Sequence, residues 1–333
     1  MSISTSFPLA VDIGNGYLKF ATGKLLGSIP SYIRMVNEDQ ELYKDPNSRI
    51  VKYQNGPNQH LLNRTWVIGK LAQALSGNGL YTLEKQQLAA QMVMGLIPIP
   101  PDIEEIKITR LVYSLPDNLN SKDVQAVQQA LLGKHWISID GKNVVVEIQK
   151  VDVVFEGLGA YIWAKHNNLL KLTDGYKTGV LDVGNKTVIL TPFTGISHIS
   201  ERDKRAVDNI GVISLAEAIS RDKIFRGPGV QSRVNVDLIL RGISEGTFMY
   251  GTGSNGISFR EVFPQYQEEW INNIRIFMRH IWGSMSTEIG EILAVGGGSH
   301  LLTPLQERIG ADRFIICEDP TYANVKGMLL LGD

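Results

Sequence analysis

Two aspartates in this chain each end an apolar run and precede a Gly-Asn step. Asp12 leads into Gly14, Asn15 and Gly16, and Asp182 leads into a matching step about half the chain later. An apolar run, a Gly-Asn turn and a second apolar run predict a β-hairpin. The backbone N–H groups of such a turn form a nest for phosphate oxygens, and glycine lets a phosphate approach closely. Two such hairpins indicate a site that clamps a polyphosphate.

The carboxylates of these aspartates repel phosphate, so they imply a cation between the two. Mg²⁺ keeps much of its water shell and is held by one or two carboxylates. Asp12 and Asp182 are therefore predicted to hold Mg²⁺ through water, and Lys19 would add a positive charge beside the phosphates. The alternative is that both aspartates cap their turns and that Lys19 is a solvated strand residue.

Glu156 stands just before a predicted helix over residues 157–166. A carboxylate at that place can hold a water in line with a terminal phosphate, because phosphoryl transfer depends mainly on positioning and charge. The alternative is a carboxylate that only complements the helix dipole.

A run of three glycines, Gly296 to Gly298, follows a predicted strand over residues 291–295. Consecutive glycines are costly to order, so we expect a nucleoside to lie against this backbone; the alternative is a flexible loop. The run is not a Walker loop, since no Gly-Lys-Ser/Thr follows it, and it is not a dinucleotide fingerprint, since it opens no capped helix after the first strand.

The elements that would position these residues form an α/β pattern. The repeated Asp-x-Gly-Asn step predicts two related domains that open with the same hairpin. A helix is predicted over residues 121–132, with Asn120 as its N-cap and Gly133 as its stop. A closing helix is predicted over residues 323–331.

The composition of the chain argues against some classes of protein. The chain has 333 residues, with 33 Lys and Arg against 34 Asp and Glu, which is not the charge footprint of a dedicated nucleic-acid binder. Its one cysteine, Cys317, lies in an apolar run and fits a core position in a reducing compartment. There is no signal-peptide pattern and no apolar run of the ~20 residues that a membrane helix needs. We therefore expect a cytoplasmic protein that does not bind membranes.

Five segments, in chain order, resemble the nucleotide-site motifs of the actin-like ATPase superfamily. The two phosphate loops are at residues 12–19 and 181–187, the connecting helices at 154–160 and 322–327, and the adenosine motif at 292–301. The compact length and the short first hairpin further resemble bacterial plasmid-segregation actins of the ParM/StbA type. The resemblance implies an α/β, actin-like (ribonuclease H-like) fold of two domains with a nucleotide cleft between them.

The resemblance also implies a site for ATP or ADP with Mg²⁺. Asp12 and Asp182 would be the magnesium-associated carboxylates, and Glu156 would orient the attacking water. The remaining nucleotide-binding residues would be Gly14, Asn15, Gly16, Lys19, Gly184, Asn185, Thr187, Gly211, Glu217, Gly296, Gly297 and Gly298. Of these, Gly211 and Glu217 would lie beside the ribose and base. Lys186 stands where many relatives have a small residue, and its role stays open.

The function that follows from the resemblance is an ATPase coupled to filament turnover. Copies of the chain would assemble head to tail and move plasmid DNA through a DNA-binding adaptor protein, without direct nucleic-acid contact. The alternatives are a sugar- or acetate-type kinase and a non-polymerising scaffold of the same superfamily. Glu156 favours water over a kinase substrate as the nucleophile, and residues 328–333 lack the basic amphipathic character of a membrane anchor.

Domain I is expected to span 1–160, with an inserted subdomain at about 30–95, and to be completed by the helix at 321–333. Domain II is expected to span 161–320, with an inserted subdomain at about 195–255. The chain has 33 glycines, about a tenth of its residues against a usual ~7%. We expect the surplus to clear backbone for one ligand, since ten glycines fall in the motif segments: Gly14, Gly16, Gly157, Gly159, Gly184, Gly211, Gly296, Gly297, Gly298 and Gly327.

Overall fold

A computed structural model describes residues 3–37, 40–43, 45–79, 84–116, 120–171, 175–194, 204–226, 234–253 and 256–331. The chain divides into two compact units. Unit 1 is Met1–His166 together with Tyr322–Asp333, and unit 2 is Asn167–Thr321. Part of the inserted subdomain predicted at about 195–255 lies outside the described residues, and its bounds stay a prediction.

Unit 1 combines a large mixed sheet with helices. Its strands are β1 (Ser4–Ile13), β2 (Tyr17–Ala21), β3 (Leu26–Pro30), β4 (Tyr32–Val36), β5 (Ser48–Asn55), β6 (Thr65–Gly69), β7 (Asn78–Gly79), β8 (Glu105–Leu115), β9 (Gly133–Ile139), β10 (Lys142–Ile148) and β11 (Val151–Phe155). Its helices are α1 (Lys70–Ala74), α2 (Ala89–Leu96), α3 (Ser121–Leu131), α4 (Leu158–His166) and, after unit 2, α9 (Ala323–Leu329).

The strands that carry the first hairpin form one end of this sheet, in the order β3-β2-β1-β8, with β11 also paired to β8. β1 is antiparallel to β2 and parallel to β8, and β11 is parallel to β8. The segment predicted as an inserted subdomain joins the same sheet, because β5 pairs with β9 and continues through β6, β4 and β7.

Alternation along β1 separates the two faces of the sheet. Leu9, Val11 and Ile13 join the main apolar core of unit 1, which also contains buried residues of α2 and α3. Ala10 points to the other face, where it packs in a small cluster with Val325 and Met328 of α9. The predicted N-cap of α3 is confirmed, because the Asn120 side chain accepts a hydrogen bond from the Lys122 N–H at 3.1 Å.

Unit 2 has a smaller sheet and its own core. Its strands are β12 (Lys177–Val183), β13 (Thr187–Phe193), β14 (Arg205–Asp208), β15 (Met249–Tyr250), β16 (Ile257–Ser258), β17 (Ile289–Val295) and β18 (Phe314–Ile316). Its helices are α5 (Val212–Ser220), α6 (Val236–Ser244), α7 (Phe263–Trp282) and α8 (Thr303–Ile309). Buried residues of α5, α6 and α7 pack on β12 and β13 in one cluster.

The sheet of unit 2 runs in the order β14-β13-β12-β17-β18. β12 is antiparallel to β13 and parallel to β17, and β18 is parallel to β17. This order repeats the arrangement β3-β2-β1-β8-β11 in unit 1, so the repeat seen in the sequence extends to five strands. Cys317 follows β18 and is buried, as predicted. Across the described residues, no helix has both the length and the apolar character needed to cross a membrane.

Candidate functional site

The first hairpin joins β1 to β2 and places Lys19 directly opposite Asp12. Its turn is closed by the Gly14 N–H, which donates to the Tyr17 carbonyl at 3.1 Å. A Cβ on Gly14 would lie 2.7 Å from that carbonyl oxygen, so this turn requires glycine. No acceptor within the described part of the chain takes the N–H groups of Asn15 and Gly16. Both stay available to an anion, as a phosphate nest requires.

Two hydrogen bonds from Ser31 hold this turn in place. Sequence reasoning missed this residue. The buried Ser31 hydroxyl donates to the Gly14 carbonyl at 2.6 Å, and the Ser31 N–H donates to the Gly16 carbonyl at 3.0 Å. Both carbonyls therefore point away from an anion at the turn. Ser31 lies between β3 and β4 and carries no motif, so its role depends on the fold alone.

Asp12 lies at the end of β1 with only 6% of its surface exposed. Its Oδ1 accepts a hydrogen bond from the Ser114 hydroxyl at 2.8 Å, and its Oδ2 lies 3.3 Å from the Lys19 ammonium. Burial alone would raise the pKa of Asp12, but Lys19, Ser114 and Lys85 together hold it below its usual value. Asp12 is therefore a buried, ionised carboxylate.

Glu156 directly follows β11, and its N–H continues the strand pairing by donating to the Leu115 carbonyl at 2.9 Å. The next residue, Gly157, has a φ of +92°, which turns the chain into α4. The Glu156 side chain is buried and pairs with Lys85, with Nζ 3.0 Å from Oε1. Lys85 is a site residue that sequence reasoning missed, because it belongs to no motif and lies far from Glu156 in the chain.

Tyr113 on β8 connects these groups. Its hydroxyl donates to the Lys85 carbonyl at 3.2 Å. Burial, together with the negative charges of Glu156 and Asp12, raises the pKa of Tyr113 above its usual value. Asp12, Lys19, Lys85, Glu156, Tyr113 and Ser114 therefore form one polar cluster in unit 1.

The second hairpin joins β12 to β13 and repeats the first turn. The Gly184 N–H donates to the Thr187 carbonyl at 2.9 Å, as Gly14 does to Tyr17. Asp182 is again the second-last residue of the first strand, but its cross-strand partner is Ile189 rather than a lysine. The Asn185 N–H has no acceptor among the described residues.

The carbonyls of this second turn are held by α5 and the residues before it. Val212 and Ile213 donate their N–H groups to the Gly184 and Asn185 carbonyls at 3.2 and 2.8 Å. The Lys186 carbonyl accepts from the N–H groups of Asn209 and Gly211 at 3.0 and 3.1 Å. The N–H groups of Val212 and Ile213, in the first turn of α5, thus hold carbonyls of the hairpin turn.

The glycine run packs against the same hairpin. Gly296 has a φ of +85°, and a Cβ there would collide with Asp182 Oδ1 and lie 2.6 Å from the Val183 carbonyl oxygen. A Cβ on Gly298 would lie 2.5 Å from Val212 Cγ2, and the Gly298 N–H donates to the Val183 carbonyl at 2.9 Å. Gly297 alone is exposed, with open space around it. The run is an ordered turn, which overturns the alternative of a flexible loop.

For several of the surplus glycines, the missing Cβ makes room for the protein itself. Gly296 and Gly298 make room for β12 and α5, and a Cβ on Gly211 would lie 2.5 Å from the Asn185 carbonyl oxygen. Gly159 and Gly327 sit where α4 and α9 cross, and a Cβ on either would collide with the other helix. These glycines allow close packing of the protein on itself.

The remaining predicted residues lie near or apart from this hairpin. Thr187 begins β13, is half-buried and pairs with Asp208 of β14. Gly211 precedes α5 directly and touches the turn. Glu217 is exposed on α5, five residues after Val212 and so roughly 7 Å further along the helix. Sequence reasoning grouped Glu217 with Gly211, but helix geometry separates them.

The donor set of unit 1 fits a magnesium–phosphate ligand. Among the described residues, no group of three or more His, Cys, Asp and Glu side chains gathers to hold a metal ion by itself. Mg²⁺ is commonly held by one or two carboxylates together with phosphates of the substrate. Asp12, ionised beside an anion-ready turn, is a carboxylate of that kind.

Comparison with known proteins is consistent with this geometry. The sequence model for the N-terminal domain of actin-like proteins matches residues 10–159. That range begins in β1 just before Asp12 and ends in α4 just after Glu156. Solved actin homologues match nearly the whole chain in three dimensions. The chain has an actin-like fold.

Similar structures with this actin-like fold include ParM proteins. A 15-stranded ParM filament from Clostridium botulinum aligns with a TM-score of 0.73 at 18% identity, over 100% of this chain and 99% of that one. The apo psk41 ParM protein aligns at 0.71 and 18%, over 98% and 97%. An archaeal actin homologue in complex with ADP aligns at 0.74 and 18%, over 96% and 97%.

No curated protein matches the chain in sequence. At these identities, the structural likeness establishes the fold. The predicted actin-like α/β fold is confirmed, and so is the resemblance of the first half of the chain to actin-like proteins.

Proposed function

We propose that this protein binds ATP with Mg²⁺, hydrolyses the ATP to ADP and phosphate, and polymerises head to tail into filaments. The observation that carries the proposal is the pair of matching hairpins. Each has an aspartate near the end of its first strand, a glycine-closed turn and at least one turn N–H without a protein acceptor among the described residues. These are the features that a polyphosphate site needs, and they occur twice in one actin-like fold.

In this proposal, the hairpins hold the phosphates. Gly14, Asn15 and Gly16 offer backbone, and Lys19 offers a positive charge next to it. Gly184, Asn185 and Thr187 do the same with backbone and a hydroxyl in unit 2. Asp12 and Asp182 hold Mg²⁺ through its water shell. When bound, Mg²⁺ neutralises phosphate charge and stabilises the charge that develops on the phosphate oxygens during transfer.

Glu156 orients the attacking water toward the terminal phosphate. Its support is its burial, its fixed backbone and its location in the same polar cluster as Asp12. Since little covalent chemistry falls to the protein in phosphoryl transfer, a positioned carboxylate suffices for this role.

Gly211 and Gly296 to Gly298 form the wall next to the nucleoside, with Gly297 as the exposed backbone that a ribose or base can approach. Glu217, exposed on α5, would reach the nucleoside from further along that helix. The structural likeness to an archaeal actin homologue that holds ADP supports an adenine nucleotide.

Self-assembly is supported by the likeness to a ParM filament. We propose that the filament moves plasmid DNA through a DNA-binding adaptor, since the near balance of charges in the chain argues against direct DNA contact. Cys317 is the one cysteine of the chain, so no internal disulfide can form, which fits action in the reducing cytoplasm.

Pelleting and electron microscopy with Mg²⁺ and ATP, GTP or ADP test this proposal. We expect filaments with ATP, phosphate release from them, and disassembly as ADP accumulates. Glu156→Gln should bind ATP, release phosphate slowly and leave long-lived filaments. No assembly at high protein concentration would contradict the filament. ATP turnover without assembly, stimulated by a sugar or acetate, would indicate the alternative kinase.

A further inference from the structure

A second lysine lies beside the predicted water-orienting group. Lys85 Nζ is 3.0 Å from Glu156 Oε1, and the two side chains are 13% and 11% exposed. The backbone of Lys85 is held by the Tyr113 hydroxyl, and Tyr113 itself is fully buried. Lys85 is therefore placed by the protein interior rather than by a solvated surface.

In the polar cluster of unit 1, each of the two carboxylates is in contact with its own lysine. Lys19 pairs with Asp12 at 3.3 Å, whereas Lys85 pairs with Glu156. A buried pair of this kind recovers its desolvation cost only with close contact and good geometry, and it is often retained for a role other than stability. The proposed function gives Lys19 a second role beside the phosphates, and it gives Lys85 none.

The two oxygens of Glu156 are used unequally. Oε1 is bound to Lys85, and no hydrogen bond from the described part of the chain reaches Oε2. A carboxylate acts on one water through one oxygen, so the fixed Oε1 leaves Oε2 for that water. The Lys85 contact also fixes the rotation of the carboxylate plane, which decides where Oε2 points.

The positive charge of Lys85 has a second effect on Glu156. Glu156 must work beside a terminal phosphate that is itself negative, and like charges in a buried site repel strongly. An ammonium bound to the carboxylate offsets that repulsion and lets both anions approach the same water. Lys85 is the cation that the structure provides for this purpose.

We infer that Lys85 is a positioning residue for the proposed ATP hydrolysis: it holds Glu156 Oε1, directs Oε2 to the attacking water and screens Glu156 from the terminal phosphate. The inference rests on the proposed function. It predicts that Lys85 affects the rate of the chemical step far more than the affinity for ATP.

The test compares Lys85→Met, Lys85→Arg and a matched control, Arg110→Met. Arg110 on β8 pairs with Asp152 on β11 at 2.5 Å, and Asp152 also pairs with Lys150 at 3.0 Å. Arg110 lies four positions before Ser114 on β8, and Asp152 lies four positions before Glu156, which directly follows β11. That distance is roughly 13 Å along a strand. The control removes a cation from an ion pair in the same sheet, away from the cluster.

Two quantities are measured for each variant: the Kd for ATP-Mg²⁺ and the rate of single-turnover phosphate release in assembled protein. Lys85→Met should slow release on the order of tenfold or more, as expected for a loss of transition-state positioning, with Kd changed by less than about threefold. Lys85→Arg should restore most of the rate, and Arg110→Met should release phosphate like the unmodified protein.

A double variant, Lys85→Met with Glu156→Gln, covers the case in which Lys85→Met leaves Glu156 buried and unpaired and fails to fold. This variant removes both charges, and it should be no slower than Glu156→Gln alone. A Lys85→Met rate equal to that of the unmodified protein would overturn the inference, as would an equal loss in Arg110→Met or a double variant well below Glu156→Gln. If the unmodified protein turns over no ATP, the proposed function fails first and the inference fails with it.

Discussion

The hairpin of β1 and β2 and the hairpin of β12 and β13 have the same turn but different surroundings. In both, a glycine N–H donates to the carbonyl three residues later, at 3.1 Å from Gly14 and 2.9 Å from Gly184. Opposite Asp12 stands Lys19, whereas opposite Asp182 stands Ile189, which is 6% exposed. The first hairpin meets a buried cluster of charges, and the second meets the backbone of α5 and the glycine run.

Under the proposed function, this difference would give the two copies of one structural unit different tasks. The first hairpin brings cations and the proposed water-orienting carboxylate, so it suits the reacting end of a nucleotide. The second hairpin is packed against Gly211, Gly296 and Gly298, so its turn is coupled to the proposed nucleoside wall. Under the proposed function, the same backbone unit would serve two roles, set by the side chains and loops around it.

The largest expected effect concerns the dependence of the second hairpin on the glycine run. Gly296→Ala forces a side chain into a φ of +85° and into Asp182 and Val183, so it should lower the free energy of unfolding by about 3 kcal/mol or more. Urea unfolding measures this. Gly297→Ala is the matched control, because open space surrounds Gly297. Equal losses in both variants would mean that the run is not packed as described.

The next effect concerns the lysine that lies opposite the aspartate in the first hairpin, where the second hairpin has Ile189. Lys19→Met removes the ammonium beside Gly14 and Asp12, and a lost charge-assisted contact should weaken ATP binding by about tenfold. Calorimetric titration with ATP-Mg²⁺ checks this. Lys24→Met serves as the control, because Lys24 is exposed in the turn between β2 and β3. Unchanged ATP affinity in Lys19→Met would remove the proposed asymmetry.

The smallest expected effect concerns the Ser31 side chain, which holds the Gly14 carbonyl in the turn of the first hairpin. Ser31→Ala loses the buried hydrogen bond to the Gly14 carbonyl and should cost about 1 kcal/mol of stability. The equivalent place after β14 is Asn209, which holds Lys186 through its backbone N–H. Thermal unfolding of Ser31→Ala against Ser28→Ala, whose hydroxyl bonds to Tyr322 instead, separates the brace from a general loss of a serine.

What could be predicted from the sequence is local. Each hairpin is encoded in a few consecutive residues, and the Asn120 cap needs only the helix that follows it, so both were recognisable. Lys85 and Ser31 could not be found in this way, because their partners Glu156 and Gly14 lie elsewhere in the chain and no spacing connects them. The glycines show the same limit, since sequence marks where a Cβ is absent but not which neighbour fills the space.

The close crossing of α4 and α9 has a consequence for how the chain is made. α9 completes unit 1 by covering Ala10 and Ala21, yet it follows the whole of unit 2 in the sequence. Domains begin to fold as they leave the ribosome. Unit 2 is continuous and can close its core at once, whereas unit 1 waits with an uncovered apolar face until α9 has been synthesised. Unit 1 therefore completes its packing last, although most of it is synthesised first.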